Sequence, residues 1–202
     1  MDSFPMSTTD QRVSFPRDAR GMQSSQILPP EGATHPEYPL ERVCVHRYEP
    51  SQLTFARHAQ KLVAEDEEIE AEASHRGLVL RGETEAALEQ PVQLLRDYFG
   101  SQISVGEPMV RYHHGLSVEE PHMRLRIRCL AKHFDAVRTD LELRGALIVR
   151  SHRNSTMGVL LATAPLARLL GYSRSLAQLT AGTAQGVLCL SHYDSVGRES
   201  IE

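Results

Sequence analysis

No stretch of this chain approaches the ~20 consecutive apolar residues that a membrane span needs, although 41% of its 202 residues are hydrophobic. A helical membrane protein is excluded. Residues 1–21 also lack an apolar core, and they mix Asp2, Asp10 and Asp18 with Arg12, Arg17 and Arg20. Neither a secretory signal nor an acid-poor mitochondrial transit peptide is expected there. Cysteine is scarce: Cys44, Cys129 and Cys189 are far apart, and an odd number cannot close a disulfide set. They are expected to be buried, reduced thiols of a cytoplasmic protein. Net charge is small, at −4, so nothing draws the whole chain to nucleic acid and any RNA contact must come from a local patch. No GxxxxGK[ST] pattern occurs, so the Gly-rich turn that cradles nucleotide phosphates is missing. No Ser/His/Asp or Cys/His grouping stands out either, and no catalytic set, cofactor or nucleotide is expected.

The charge that is present is uneven. Residues 41–112 hold 8 basic and 13 acidic side chains, whereas residues 113–202 hold 11 basic and 8 acidic. The second half is the better candidate for an anionic partner. Residues 1–39 are rich in Ser, Pro, Gly, Gln and Asp without periodicity, which predicts a disordered tail.

From Glu41 the pattern is regular. Val43 and Val45 alternate with polar neighbours as in a strand, and Ser51 is placed to cap a helix carrying Leu53, Ala56, Ala59, Leu62 and Val63. Two short strands around a turn at residues 74–77 follow, then a helix with Leu88, Val92, Leu95 and Phe99 that stops at Gly100. Pro91 predicts that this helix is kinked or starts only at Gln90. A last strand at residues 103–112 completes β-α-β-β-α-β, the ferredoxin-like order.

The same order then repeats. Leu125, Ile127 and Cys129 alternate with Arg124, Arg126 and Arg128, the mark of a half-buried strand with one basic face. Phe134, Val137, Leu141 and Leu143 give the next helical stripe, ending at Gly145. A hairpin pair at residues 147–149 and 159–163, an apolar turn at Leu166, Leu169 and Leu170, and a strand through Val187, Leu188 and Leu190 follow. The fold expected is α+β, two tandem ferredoxin-like units: a tail at 1–39, a first unit at 40–113, a linker at 114–121 and a second unit at 122–197.

Pro165-Leu166-Ala167, Gly171-Tyr172, Leu176, Leu179-Thr180, Gly182 and then His192-Tyr193 resemble the C-terminal domain of elongation factor G. Glu65-Asp66, Gly82, Glu85, Leu88, Phe99 and Val105-Gly106 with Pro108 are similar to that family's third domain. The resemblance implies two domains that, in the full factor, dock on the ribosome and brace a GTPase. The present chain departs from the family in having no phosphate loop, no room for a tip domain between the units, Ala87 in place of histidine and Ala184 in place of glycine. It is therefore expected to be non-catalytic.

Candidate contacts follow from both lines. Three guanidiniums on one strand face, Arg124, Arg126 and Arg128, would recur at about 6 to 7 Å and match a row of phosphate oxygens; a solvated outer face is the plainer alternative. Arg150 and Arg153 could extend that surface. The resemblance adds Tyr172, Thr180 and Gly182 in the segment 171–182. His113, His114 and His122 are expected to be exposed linker residues rather than metal ligands, and the acidic run at 65–72 a solvated helix end. The expected partner is the ribosome or ribosomal RNA. The alternative is a protein-interaction module, pairing with another protein or with a second copy through its open sheets, without ribosome contact.

Overall fold

The structure is a computed structural model that describes residues 38–196. The expected tail lies outside the described residues but for Tyr38 and Pro39. Two antiparallel sheets, each with helices on one side, account for the described residues, as the repeated order implied.

The first sheet is built from β1 (Leu40–His46), β2 (Ile69–Ser74), β3 (Gly77–Gly82) and β4 (Ile103–Val105) in the order β2-β3-β1-β4, with β5 (Met109–Val110) also pairing β1. Two helices cover it, α1 (Gln52–Leu62) and α2 (Glu85–Phe99). Ser51 caps α1 as expected, its Oγ accepting from Thr54 N–H. Thr84 caps α2 by accepting from Ala87 N–H at 3.2 Å. That cap corrects one of the two Pro91 alternatives, the start at Gln90: the helix starts at Glu85 and includes Pro91, whose ring is buried with Leu88, Val92 and Leu95. Burial of the ring offsets the hydrogen bond that proline cannot donate.

The second sheet repeats the plan with β7 (Val118–Leu130), α3 (Phe134–Leu143), β8 (Leu147–Arg153), β9 (Met157–Pro165), the short α4 (Leu166–Leu169), α5 (Tyr172–Thr180) and β10 (Gln185–Ser195). Strand order is β10-β7-β9-β8, and β6 (His113–His114) joins the start of β7. β7 begins at Val118, upstream of residue 122, where the second unit was expected to start. The helices cover Leu125, Ile127, Cys129, Leu160 and Ala162, all at 0–1% exposure. Gly158 is required here, because a Cβ on it would lie 2.1 Å from the Phe134 ring. Leu143 does not join the α3 stripe; it is 81% exposed.

Buried apolar side chains of both sheets, Val79 apart, belong to one hydrophobic cluster, and two carboxylates tie the halves at backbone amides. Glu85 Oε2 accepts from Gly171 N–H at 2.8 Å, at the left-handed residue that opens α5. Glu83 Oε1 accepts from Leu190 N–H at 2.5 Å on the outer edge of β10. These caps satisfy donors that an edge strand and a helix start otherwise leave open.

Candidate functional site

Alternation along β7 puts Arg124, Arg126 and Arg128 on the face away from the helices, all exposed. Cross-strand partners share a face, so the register defines three layers. Arg128 lies between Gln185 on β10 and Val159 on β9, Arg126 between Val187 and Leu161, and Arg124 between Cys189 and Thr163. On the far strand β8, His152 continues the first layer, Arg150 the second and Leu147 the third.

Arg150 reaches this face only because β8 shifts register between Ile148 and Arg150. Leu147 is on the open side and Ile148 on the helix side, so uninterrupted alternation would have put Arg153 in the open and Arg150 beneath. The extra residue exchanges them. Arg153 pairs with Gly158 on the helix side, donates to Asp135 Oδ2 at 2.7 Å and lies over the Phe134 ring at 5.3 Å. The expected grouping of Arg153 with Arg150 is therefore corrected. Arg126, Arg128 and Arg150 make no ion pair with any described residue, and the Arg124 guanidinium donates a weak hydrogen bond to the Cys189 thiol, at 3.7 Å.

The remaining expected contacts lie elsewhere. Tyr172 and Thr180 are 1% and 0% exposed. Thr180 Oγ1 donates to Leu176 O at 2.7 Å and accepts from Ala184 N–H at 3.3 Å, closing the end of α5 onto the turn. Burial, reinforced by the Asp140 charge and opposed by Arg144, pushes the Tyr172 phenol well above its ordinary range; Arg144 stacks over its ring at 5.1 Å. Both side chains pack the core and do not present a surface. Gly182 is exposed and turns in the left-handed region at φ 72°.

Sequence reasoning overlooked the other end of the same face. Glu120 and His122 have the parity of the arginines and lie opposite Asp194 and His192. The two imidazoles stack with centroids 5.1 Å apart. Burial, then the neighbouring His192, lower the His122 pKa, while Glu120 and Asp194 act in the opposite sense. The face is thus acidic at the end nearest the first sheet and basic at the far end. Strand parity was the signal that could have shown this. His122 and His113 are not the exposed linker residues expected: His113 Nδ1 is 3.0 Å from Glu119 Oε2 and its side chain is 12% exposed. Among the described residues no three His, Cys, Asp or Glu side chains are placed to hold a metal ion. All three cysteines are free; Cys44 and Cys129 are buried, and Cys189, expected to be buried, is half-exposed on the open face.

Residues 117–202 match the family described as elongation factor G C-terminus. Mitochondrial ribosome-releasing factor 2 of Danio rerio is 35% identical over 85 residues, which cover 42% of this chain and 11% of that protein. The chain thus spans a small part of that relative. A crystal structure from Thermus thermophilus matches with a TM-score of 0.59 at 16% identity, covering 83% of this chain and 42% of the other. At that identity the likeness is one of fold. Together these matches bear out the resemblance to the C-terminal part of elongation factor G and the arrangement of two α+β units.

Proposed function

We propose that this chain, whose residues 117–202 match the elongation factor G C-terminus, is a non-catalytic, translation-related protein that binds the ribosome or ribosomal RNA. The observation that carries the reading is the unneutralised arginine face of the second sheet, lying within the matched region. Arg124, Arg126, Arg128 and Arg150 make the electrostatic contacts, and Gly182, grouped with α5 and the helix side of β10, is not part of that face. Tyr172 and Thr180 act only by holding α5 in place. A non-catalytic role agrees with the absence of a phosphate-loop pattern from the 202 residues. No helix of the described residues is long and apolar enough to cross a membrane, and a cytoplasmic site of action is part of the proposal.

Cosedimentation with large ribosomal subunits tests it. Association is expected at low salt and weakens as salt rises, with log K falling by roughly 0.9 per phosphate contacted for each decade of salt. No association at any salt concentration would overturn the reading. A second reading is favoured by β8, an edge strand whose Leu147 and Val149 are 69% and 64% exposed: such an edge can pair with a second copy of the chain. Light scattering on a sizing column separates the two, since a stable dimer with no ribosome contact supports only the latter.

A further inference from the structure

We infer that the open face of the second sheet grips the phosphate backbones of folded, double-stranded RNA and does not stack unpaired bases; this rests on the proposed RNA contact. Three observations carry it.

The first is what the basic end lacks. Across the three layers that hold Arg124, Arg126 and Arg128, no position is Phe, Tyr or Trp. Single strands are held on sheet faces by aromatic side chains on which successive bases lie. Here the neighbours of Arg126 are Val187 and Leu161, and the only ring is His152 at the sheet edge. The imidazoles of His122 and His192 are stacked on each other. What remains is a set of planar forks, which suit phosphate oxygens.

The second is the shape of the charge. The row Arg124, Arg126, Arg128 runs about 13 Å along β7, and Arg150 lies two strands away, about 10 Å from Arg126. Charge is therefore spread over a patch instead of following one line. A single strand needs only a line, whereas an A-form duplex offers two backbones on either side of a wide, shallow groove.

The third is where the patch stops. Glu120 and Asp194 face the same side one step of alternation beyond the histidine pair, and their carboxylates repel phosphate. The footprint is thereby confined to the end of the sheet remote from the first unit, leaving room for a bulky helix and not a tracked strand along the whole face.

Fluorescence anisotropy with the full chain decides the matter, using labelled RNA duplexes of about 20 base pairs in two unrelated sequences and a uridine single strand with the same number of phosphates. Both duplexes should bind within about twofold of each other, and at least about tenfold tighter than the single strand. Arg126→Gln with Arg150→Gln should reduce the salt slope by about 2, whereas Arg153→Gln, on the helix side, should leave it unchanged. A single strand that binds as tightly as the duplexes, or a tenfold preference between the two duplex sequences, overturns this inference while leaving RNA binding intact. Ribosome cosedimentation without binding of any of these RNAs overturns it too. Failure of both assays removes the underlying reading itself.

Discussion

The open faces of the two sheets carry arginine on the same scaffold and use it in opposite ways. On the first sheet Arg81 is surrounded by carboxylates: it meets Glu41 at 3.4 Å, Glu70 at 2.9 Å and Glu72 at 2.5 Å, and Arg76 adds a contact to Glu41 at 2.6 Å. Burial works against the charge on Arg81, but the hydrogen bond to Glu72 and the fields of Glu70, Glu72 and Glu41 outweigh it and raise the guanidinium pKa. On the second sheet Arg126, Arg128 and Arg150 have no such partners among the described residues. The first face has solved its electrostatics internally; the second has left them for something else to solve. Fold alone would not separate these surfaces.

The difference is broken most severely by reversing charge on the unpaired face. Arg124→Glu with Arg126→Glu is expected to weaken ribosome association on the order of 100-fold at low salt, with the unfolding free energy moved by no more than about 0.5 kcal/mol, as for other exposed positions. A large loss of stability on urea unfolding would show that these residues are structural, and the contrast would collapse. The mirror experiment is Arg81→Glu. It leaves four carboxylates on one face and is expected to cost about 2 kcal/mol of stability, at the lower end for breaking a partly buried ionic network because Glu70 and Glu72 are half-exposed. Ribosome association per folded molecule should be unchanged. If Arg81→Glu proves neutral to unfolding, the first face is as uncommitted as the second.

Alkaline stability separates the halves next. Burial, partly opposed by the charges of Arg42 and Arg96, pushes the Cys44 thiol in the first sheet up to about 11 from 9.0. Burial, partly opposed by Arg111, pushes the Tyr193 phenol in the second up to about 12 from 10.0. In both cases the unfolded chain loses its proton first, so the stabilisation is complete below the unfolded value and disappears as pH rises toward the folded one. The first sheet should therefore begin to weaken near pH 9 and the second about one unit later. By pH 10 the Cys44 contribution should have fallen by roughly 1 kcal/mol, and Cys44→Ala should flatten that limb of a melting-temperature profile. Identical profiles for the two proteins between pH 8 and 10 would remove Cys44 as the cause.

How much of this could be read beforehand follows from which physical signals are local. The Arg/Leu alternation of β7 is a two-residue period and gave the basic face directly. The capping of α1 by Ser51 and the stop at Gly100 were equally local. Arg150 and Arg153 were not separable, because which of them faces out depends on one extra residue in β8, and a bulge is decided by pairing with β9. The helix α5 was passed over for a related reason. Its buried positions, Tyr172, Leu176 and Thr180, recur every four residues, but two of the three carry hydroxyls and look like surface until the core closes on them. Its start also depends on Glu85, which lies 86 residues away. Pro91 misled about where the helix starts for the opposite reason, since a local penalty did not stop the helix from beginning at Glu85 and burying the ring.

The smallest expected effect tests the acidic end of the second face. Burial and His192 lower the His122 pKa from 6.5, while Glu120 on its own strand and Asp194 on β10 pull it the other way. The unfolded chain takes up the proton first as pH falls, so the stability that neutral His122 gives is complete above 6.5 and is lost as the medium is acidified toward the lower folded value. The loss between pH 7 and 5.5 should stay under about 1 kcal/mol, because the side chain is partly exposed and its carboxylate neighbours cushion the charge. His122→Gln should abolish that slope. If the slope persists in the His122→Gln protein, the stacked imidazole pair is not its source, and the mildly acid response belongs to a histidine outside the open face.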